Sequence, residues 1–252
     1  YRENFVEEKV DILITETLSS REAFSEKYRR LFEDGVAERT ELIKLFERRR
    51  IFKAKHSRRD LLARNCVCQG DILADGFFAY CVKDVQTSKP TPKARLVWGG
   101  DREWCMLTLR RIFRTVETRI PPIEGWQIDL FTMIMVLRGW GARIGKVKDA
   151  DLFAAFPAAS FPEGAPTYYM RCRGRLGKAV HEVLGWPYDE ATHDDADVVY
   201  ELSSPLYGML DAGDLFDAHY ERAVVEEFGL ILACADVTKH IFVWVPESVR
   251  KE

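Results

Sequence analysis

This chain of 252 residues has no membrane-length apolar run, no C-x-x-C pair and no initiating methionine. Its longest apolar run, Leu130 to Leu137, is too short to span a bilayer, so no membrane partner is expected. No signal peptide opens it, and a start at Tyr1 reads as a piece cut from something longer. The cysteines at 66, 68, 81, 105, 172 and 234 read as reduced thiols, which implies an intracellular protein, cytoplasmic or nuclear. Cys66 and Cys68 make at most half a metal site, because no second half follows at a suitable spacing. Gly-x-Ser-x-Gly, P-loop, dinucleotide-type glycine and H-E-x-x-H patterns are all missing, which removes the enzyme classes built on them.

Apolar residues make up 47% and charged residues 31%. That supplies a real core and excludes disorder along most of the length. The net charge of −3 hides an asymmetry. Residues 1–120 carry 25 Lys and Arg against 19 Asp and Glu, whereas residues 121–252 carry 12 against 21. The first half suits a polyanion; the second suits cations or simple solvation. Seven basic residues and no acidic one lie between Arg48 and Arg59, readable as a solvated helix end or as a phosphate-contacting strip.

Ser19 with Glu22 forms a capping-box pattern. The following stripe of Phe24, Tyr28, Leu31 and Phe32 predicts a helix ending near Gly35, and Val36 to Arg50 predicts another. Phe77–Val82 and Ala94–Trp98 read as two strands of a hairpin around a Pro-rich turn, the second ended by Gly99-Gly100. Arg102 to Arg119 is a basic amphipathic stretch. Trp126–Arg138 reads as a buried helix and Ile144–Phe153 as a core strand. Tyr168–Arg171 reads as a short strand. Asp214 with Asp217 resembles an N-cap for a helix to Phe228, and Leu230–Cys234 with Ile241–Val245 reads as a strand pair. Strands mixed with helices, without regular βαβ alternation, give an α+β fold. His193 with Asp194, Asp195 and Asp197 lies in an acidic loop, read as a solvated turn although a metal is conceivable.

Asp149 and Asp151 stand two apart on the predicted core strand, so they share a face. Carboxylates in a core sheet are costly unless paired or metal-bound, and hard oxygen donors suit Mg²⁺. Solvated acids at an exposed strand end are the alternative.

Asp151-Leu-Phe-Ala-Ala155-Phe156 resembles motif A of a reverse transcriptase, Asp-x-x-x-Ala-Phe, in its copia-type LTR-retrotransposon form. Three further segments follow that family's order. Lys93-Ala-Arg95-Leu-Val97 before Gly99 resembles its fingers motif K-A-R-L-V-x-x-G. Tyr169-Met170 resembles the E-x-x-Y-M after motif A. Leu206-Tyr207-Gly208 with Ala212 resembles L-Y-G-L-K-Q-A of motif B. The resemblance covers roughly residues 75–245. It implies an α+β right-hand polymerase fragment: fingers and partial palm over 75–252, a mixed sheet backed by helices, behind a helical lead-in at 1–74. The implied parent activity is RNA-directed DNA synthesis on an RNA or DNA primer–template from dNTPs, with two Mg²⁺ ions. Asp151 and the Leu152 carbonyl would hold metal, with Asp149 beside them. Lys83 and Arg95 would grip the triphosphate, and Phe156 would be the steric gate against a ribose 2′-hydroxyl.

The chain also departs from the family. Leu210 and Asp211 stand where the motif has Lys and Gln, and an Asp there would repel a triphosphate. The Tyr-x-Asp-Asp of motif C does not occur in these 252 residues. The fragment is therefore expected to be inactive alone. A non-catalytic nucleic-acid-binding remnant of a transposable element is the alternative, and an unrelated metal-dependent phosphoesterase using Asp149 and Asp151 is a third.

Overall fold

The two segments read as hairpin strands around the Pro-rich turn do pair with each other. The computed structural model describes residues 16–49, 51–85, 87, 89–114, 155–189, 197–227, 229, 231–232 and 242–243. Strand β3 (Ile72–Lys83) runs antiparallel to β4 (Thr91–Cys105), with Phe78 opposite Leu96 and Tyr80 opposite Ala94. Both strands are longer than the sequence indicated. Gly99-Gly100 does not end β4; the strand continues through it to Cys105.

β3 is the centre of a seven-stranded mixed sheet. Its other edge is shared by β1 (Glu16–Leu18) at one end and by β6 (Tyr168–Arg171) at the other, the latter in parallel. Beyond β6 come β7 (Val198–Leu202) and β2 (Phe52–Ser57), both antiparallel, and β5 (Arg111–Ile112) closes the far side of β4. A separate pair, β8 (Ile231–Leu232) and β9 (Phe242–Val243), lies within the two C-terminal segments read as strands. The α+β class and the helix-backed mixed sheet are thus present. The lead-in is not purely helical, since β1 and β2 belong to the main sheet and the 74/75 boundary falls inside β3.

Helices α1 (Ser20–Ala23) and α2 (Arg29–Phe32) replace the single helix expected over this stretch. The capping box at Ser19 and Glu22 forms, but the Ser25 hydroxyl donates to the Glu22 carbonyl at 2.6 Å. Such a local bond competes with helix propagation. The break lets Phe24 and Phe32 both meet the edge of the Tyr80 ring. Helix α3 (Val36–Arg49) follows as expected, and α4 (Arg58–Ala63) caps on Ser57. The basic strip 48–59 therefore spans a helix end, a strand and a helix start. Within it Lys53 pairs with Glu201 at 2.8 Å, and Arg58 donates to the carbonyls of Met106 and Leu107.

Short α5 (Ala155–Ala158) precedes β6, and α6 (Gly174–Leu184) ends on Gly185 in the left-handed conformation. Helix α7 (Ala212–Glu226) starts three residues earlier than expected, with Asp211 at the N-cap position and Asp214 in its first turn. One sheet face packs Phe78, Leu96 and Trp98 against Leu42 and Leu45 of α3 and Val180 of α6. Each fully buried leucine there contributes roughly 1.5–3 kcal/mol. A smaller cluster of Leu61, Leu73, Met106, Tyr169 and Val199 forms under α4.

Of the basic stretch 102–119, residues up to 114 form the end of β4, a turn and β5. The helix at 126–138 and the strand at 144–153 lie outside the described residues. Among the described residues no helix is long and apolar enough to cross a membrane.

Candidate functional site

Alternation along the hairpin places Lys83 on the same face as Lys93 and Arg95, with Cys81 opposite Lys93 and Ala79 opposite Arg95. Lys93 belongs to this cluster as well, and its spacing of two from Arg95 on one strand is the sequence signal for it. Burial, and then the Lys83 and Lys44 ammoniums, hold Lys93 below the usual lysine range. Glu41 of α3 is pushed up by burial, against the pull of Lys44, Arg95 and Lys93. This crowded face of cations is suited to an anion.

Arg95 lies over the Tyr207 ring, 5.3 Å from its centroid. Tyr207 in turn packs on Phe156 with centroids 4.9 Å apart, and Phe156 meets Phe216 of α7 at 6.1 Å. The Phe156 ring is thus partly occupied in packing. Backbone contacts reinforce this junction. Val97 bridges Tyr207 in parallel, and the Trp98 N–H donates to the Tyr207 carbonyl at 2.7 Å. A Cβ on Gly100 would collide with the Gly208 carbonyl oxygen, and one on Gly208 with that of Trp98. Gly208 also has φ +90°, where a side chain is strained. A glycine pair lets another backbone come close, and within the chain the Tyr207-Gly208 turn makes that approach.

Asp211 is held beside this junction. Its Oδ2 accepts from the Tyr168 hydroxyl at 2.7 Å and lies 3.2 Å from Arg114 Nη2. Arg114 Nε lies 3.4 Å from Glu103, which also accepts from the Trp98 indole N–H at 2.9 Å. Burial raises Glu103 above the usual carboxylate range, against the Trp98 bond and the Arg114 charge. Tyr168 is pushed up to about 12 by burial and by its bond to Asp211. Burial works against the Arg114 charge, but Tyr168, Glu103 and Asp211 together outweigh it. The repulsion expected from Asp211 therefore meets a counter-charge in place. Arg114 had no motif to announce it; only the fold brings it to Asp211.

Asp149, Asp151 and Leu152 lie outside the described residues, as do His193, Asp194 and Asp195. Asp197 accepts from the Ser57 hydroxyl and the Arg59 N–H. No group of three or more His, Cys, Asp or Glu placed to hold a metal occurs among the described residues, and the five described cysteines are free thiols. His181 is a satisfied core residue. Its Nδ1 faces the Pro187 carbonyl at 2.7 Å and its Nε2 the Tyr200 hydroxyl at 2.8 Å.

No protein-family model matches the chain, and no curated protein or solved structure matches it.

Proposed function

We propose that this chain carries the fingers and first part of the palm of a copia-type reverse transcriptase. One observation carries the reading: Arg95, Phe156 and Tyr207, from three motif segments far apart in sequence, meet in one place. Lys83, Lys93 and Arg95 would receive the triphosphate of a dNTP, Arg through its planar fork of donors. Phe156, fixed by Tyr207, would limit the space beside the sugar. Asp151, with Asp149 and the Leu152 carbonyl, would hold Mg²⁺, which activates the attacking hydroxyl and clamps the leaving group in such displacements. An RNA or DNA primer–template would be the macromolecular partner.

The test is a dissociation assay on a labelled RNA–DNA primer–template with the 252-residue chain in Mg²⁺. The complementary dNTP is expected to slow dissociation, and the matching rNTP is not. Phe156→Ala should narrow that difference. Equal dissociation with and without the complementary dNTP would sink the reading. It would leave a nucleic-acid-binding remnant, a reading favoured by the carboxylate of Asp211 at the motif's Gln position and by the lack of a Tyr-x-Asp-Asp in these 252 residues.

A further inference from the structure

Side chains alternate along β5 and the two residues after it. Ile112 packs into the main core and Arg114 reaches the buried Glu103, so Arg111 and Phe113 take the outer face of the sheet. There the Arg111 guanidinium lies over the Phe113 ring, 4.9 Å from its centroid, and Phe113 is still 83% exposed. Arg111 stands opposite Trp104 of β4, and Arg171 lies over the Trp104 ring at 4.6 Å. Rings and guanidiniums therefore alternate across this face. Arg171 is held by Asp75 at 2.7 Å. Arg111 gives one N–H to the Asp101 carbonyl at 3.0 Å, while the Asp101 carboxylate lies 3.6 Å from Arg102. Asp101 thus offsets Arg102, and the exposed Arg110 and Arg111 supply the surplus positive charge.

We infer that Phe113 is a stacking platform for a base of single-stranded nucleic acid, with Arg111 contacting the phosphate beside that base. An exposed cation–π pair adds little to folding stability, so holding the fold together does not account for the ring. A flat ring braced by a guanidinium and otherwise open offers a π-face that any base can cover, and the cations next to it attract the backbone. A duplex keeps its base faces stacked on one another and cannot use such a ring. The inference does not rest on the polymerase reading, since a nucleic-acid-binding remnant would use the same surface.

The experiment measures fluorescence anisotropy of two labelled dodecamers, oligo(dT) and an abasic strand with the same phosphates, against the 252-residue chain, and records Tm for each variant. Phe113→Ala is expected to weaken oligo(dT) about tenfold, the scale of one lost base stack, and to leave the abasic strand and Tm as in the parent. Phe113→Trp should bind oligo(dT) at least as tightly as the parent. Arg111→Gln should weaken both strands. Parent-like oligo(dT) affinity in Phe113→Ala, or an equal loss on both strands, overturns the inference. So does a parent chain that binds the abasic strand as tightly as oligo(dT). If Phe113→Ala lowers Tm, Phe113→Trp decides, and weaker oligo(dT) binding by that variant overturns the inference. Loss of binding to phosphatidylcholine–phosphatidylserine vesicles in Phe113→Ala, with oligo(dT) unchanged, overturns it in favour of a membrane surface. None of these results alters the dNTP test of the polymerase reading.

Discussion

Gly100 and Gly208 lie backbone against backbone, so neither position has room for a side chain. Gly208 adds a positive φ that only glycine adopts without strain. Gly208→Ala is expected to destabilise the fold by about 2–3 kcal/mol, combining strain with collision against the Trp98 carbonyl. Gly100→Ala should do nearly as much. Urea midpoints measure both, and a loss below about 0.5 kcal/mol at either position would show that the junction is loose.

Arg175 and Glu38 join the N-terminal helices to α6. Arg175 Nε lies 2.6 Å from Glu38, whose residue is only 1% exposed, and the same guanidinium donates to the Phe32 carbonyl. Tyr80 donates to the same Glu38 oxygen at 3.1 Å. Removing the cation leaves a buried carboxylate without counter-charge, which costs about 3–5 kcal/mol for a fully buried pair. Arg175 is partly solvated, so Arg175→Ala should fall at the low end, about 3 kcal/mol. Glu38→Gln in the same chain should recover part of the loss. Equal stability for Arg175→Ala and the parent, by denaturant titration, would refute the pairing.

What could be read in the sequence was local. The hairpin was legible because two segments rich in aromatic and β-branched residues flank a Pro-rich turn, and α3 because its apolar residues recur at helical spacing. The parallel pairing of β3 with β6 was not, since contacts of high sequence separation leave no periodic trace in either strand. The break at Phe24–Tyr28 was missed because its aromatic spacing is helical; a serine–carbonyl bond and the Tyr80 ring decide it. Gly99-Gly100 was visible, but a glycine pair that ends a strand and one that admits another backbone look alike until Gly208 arrives. In the site, Arg95 and Tyr207 had motifs, whereas Arg114 and Glu103 acquire their role only through the turn that carries Asp211.

His181 supplies a pH test. The Pro187 carbonyl can only accept, so Nδ1 carries the proton and Nε2 accepts from Tyr200. Burial lowers its pKa below the ordinary 6.5, while the Pro187 bond opposes the shift. Above that value both folded and unfolded histidine are neutral, and the full stability is present. As pH falls through 6.5 the unfolded chain takes up a proton that the folded chain refuses, so stability declines until the lower folded value is reached. Tm should therefore fall between pH 7 and pH 5 more steeply in the parent than in His181→Gln. Identical slopes would show that this imidazole is not held neutral.

Salt dependence tests the basic half. Arg58 is committed to the Met106 and Leu107 carbonyls and Lys53 to Glu201, so neither is a free phosphate contact. Arg59, Arg64, Arg102 and Arg110 are exposed; Arg102 lies 3.6 Å from the exposed Asp101 carboxylate, and Arg111 gives one guanidinium N–H to the Asp101 carbonyl and stacks on Phe113, which is 83% exposed, leaving its other donors outward. Duplex binding through such groups is sequence-independent and weakens with salt, by roughly 0.9 in log–log slope per neutralised phosphate on B-DNA. Arg110→Glu with Arg111→Glu should weaken binding and flatten the slope by about two such contacts, whereas Arg58→Gln should act mainly by loosening the 106–109 turn and lowering Tm. Primer extension is not expected from these 252 residues, because a two-metal displacement needs a second set of carboxylates and no Tyr-x-Asp-Asp occurs here. Extension by this chain would mean the active site is misplaced, and a salt-indifferent affinity would remove the corner as a phosphate-contacting surface.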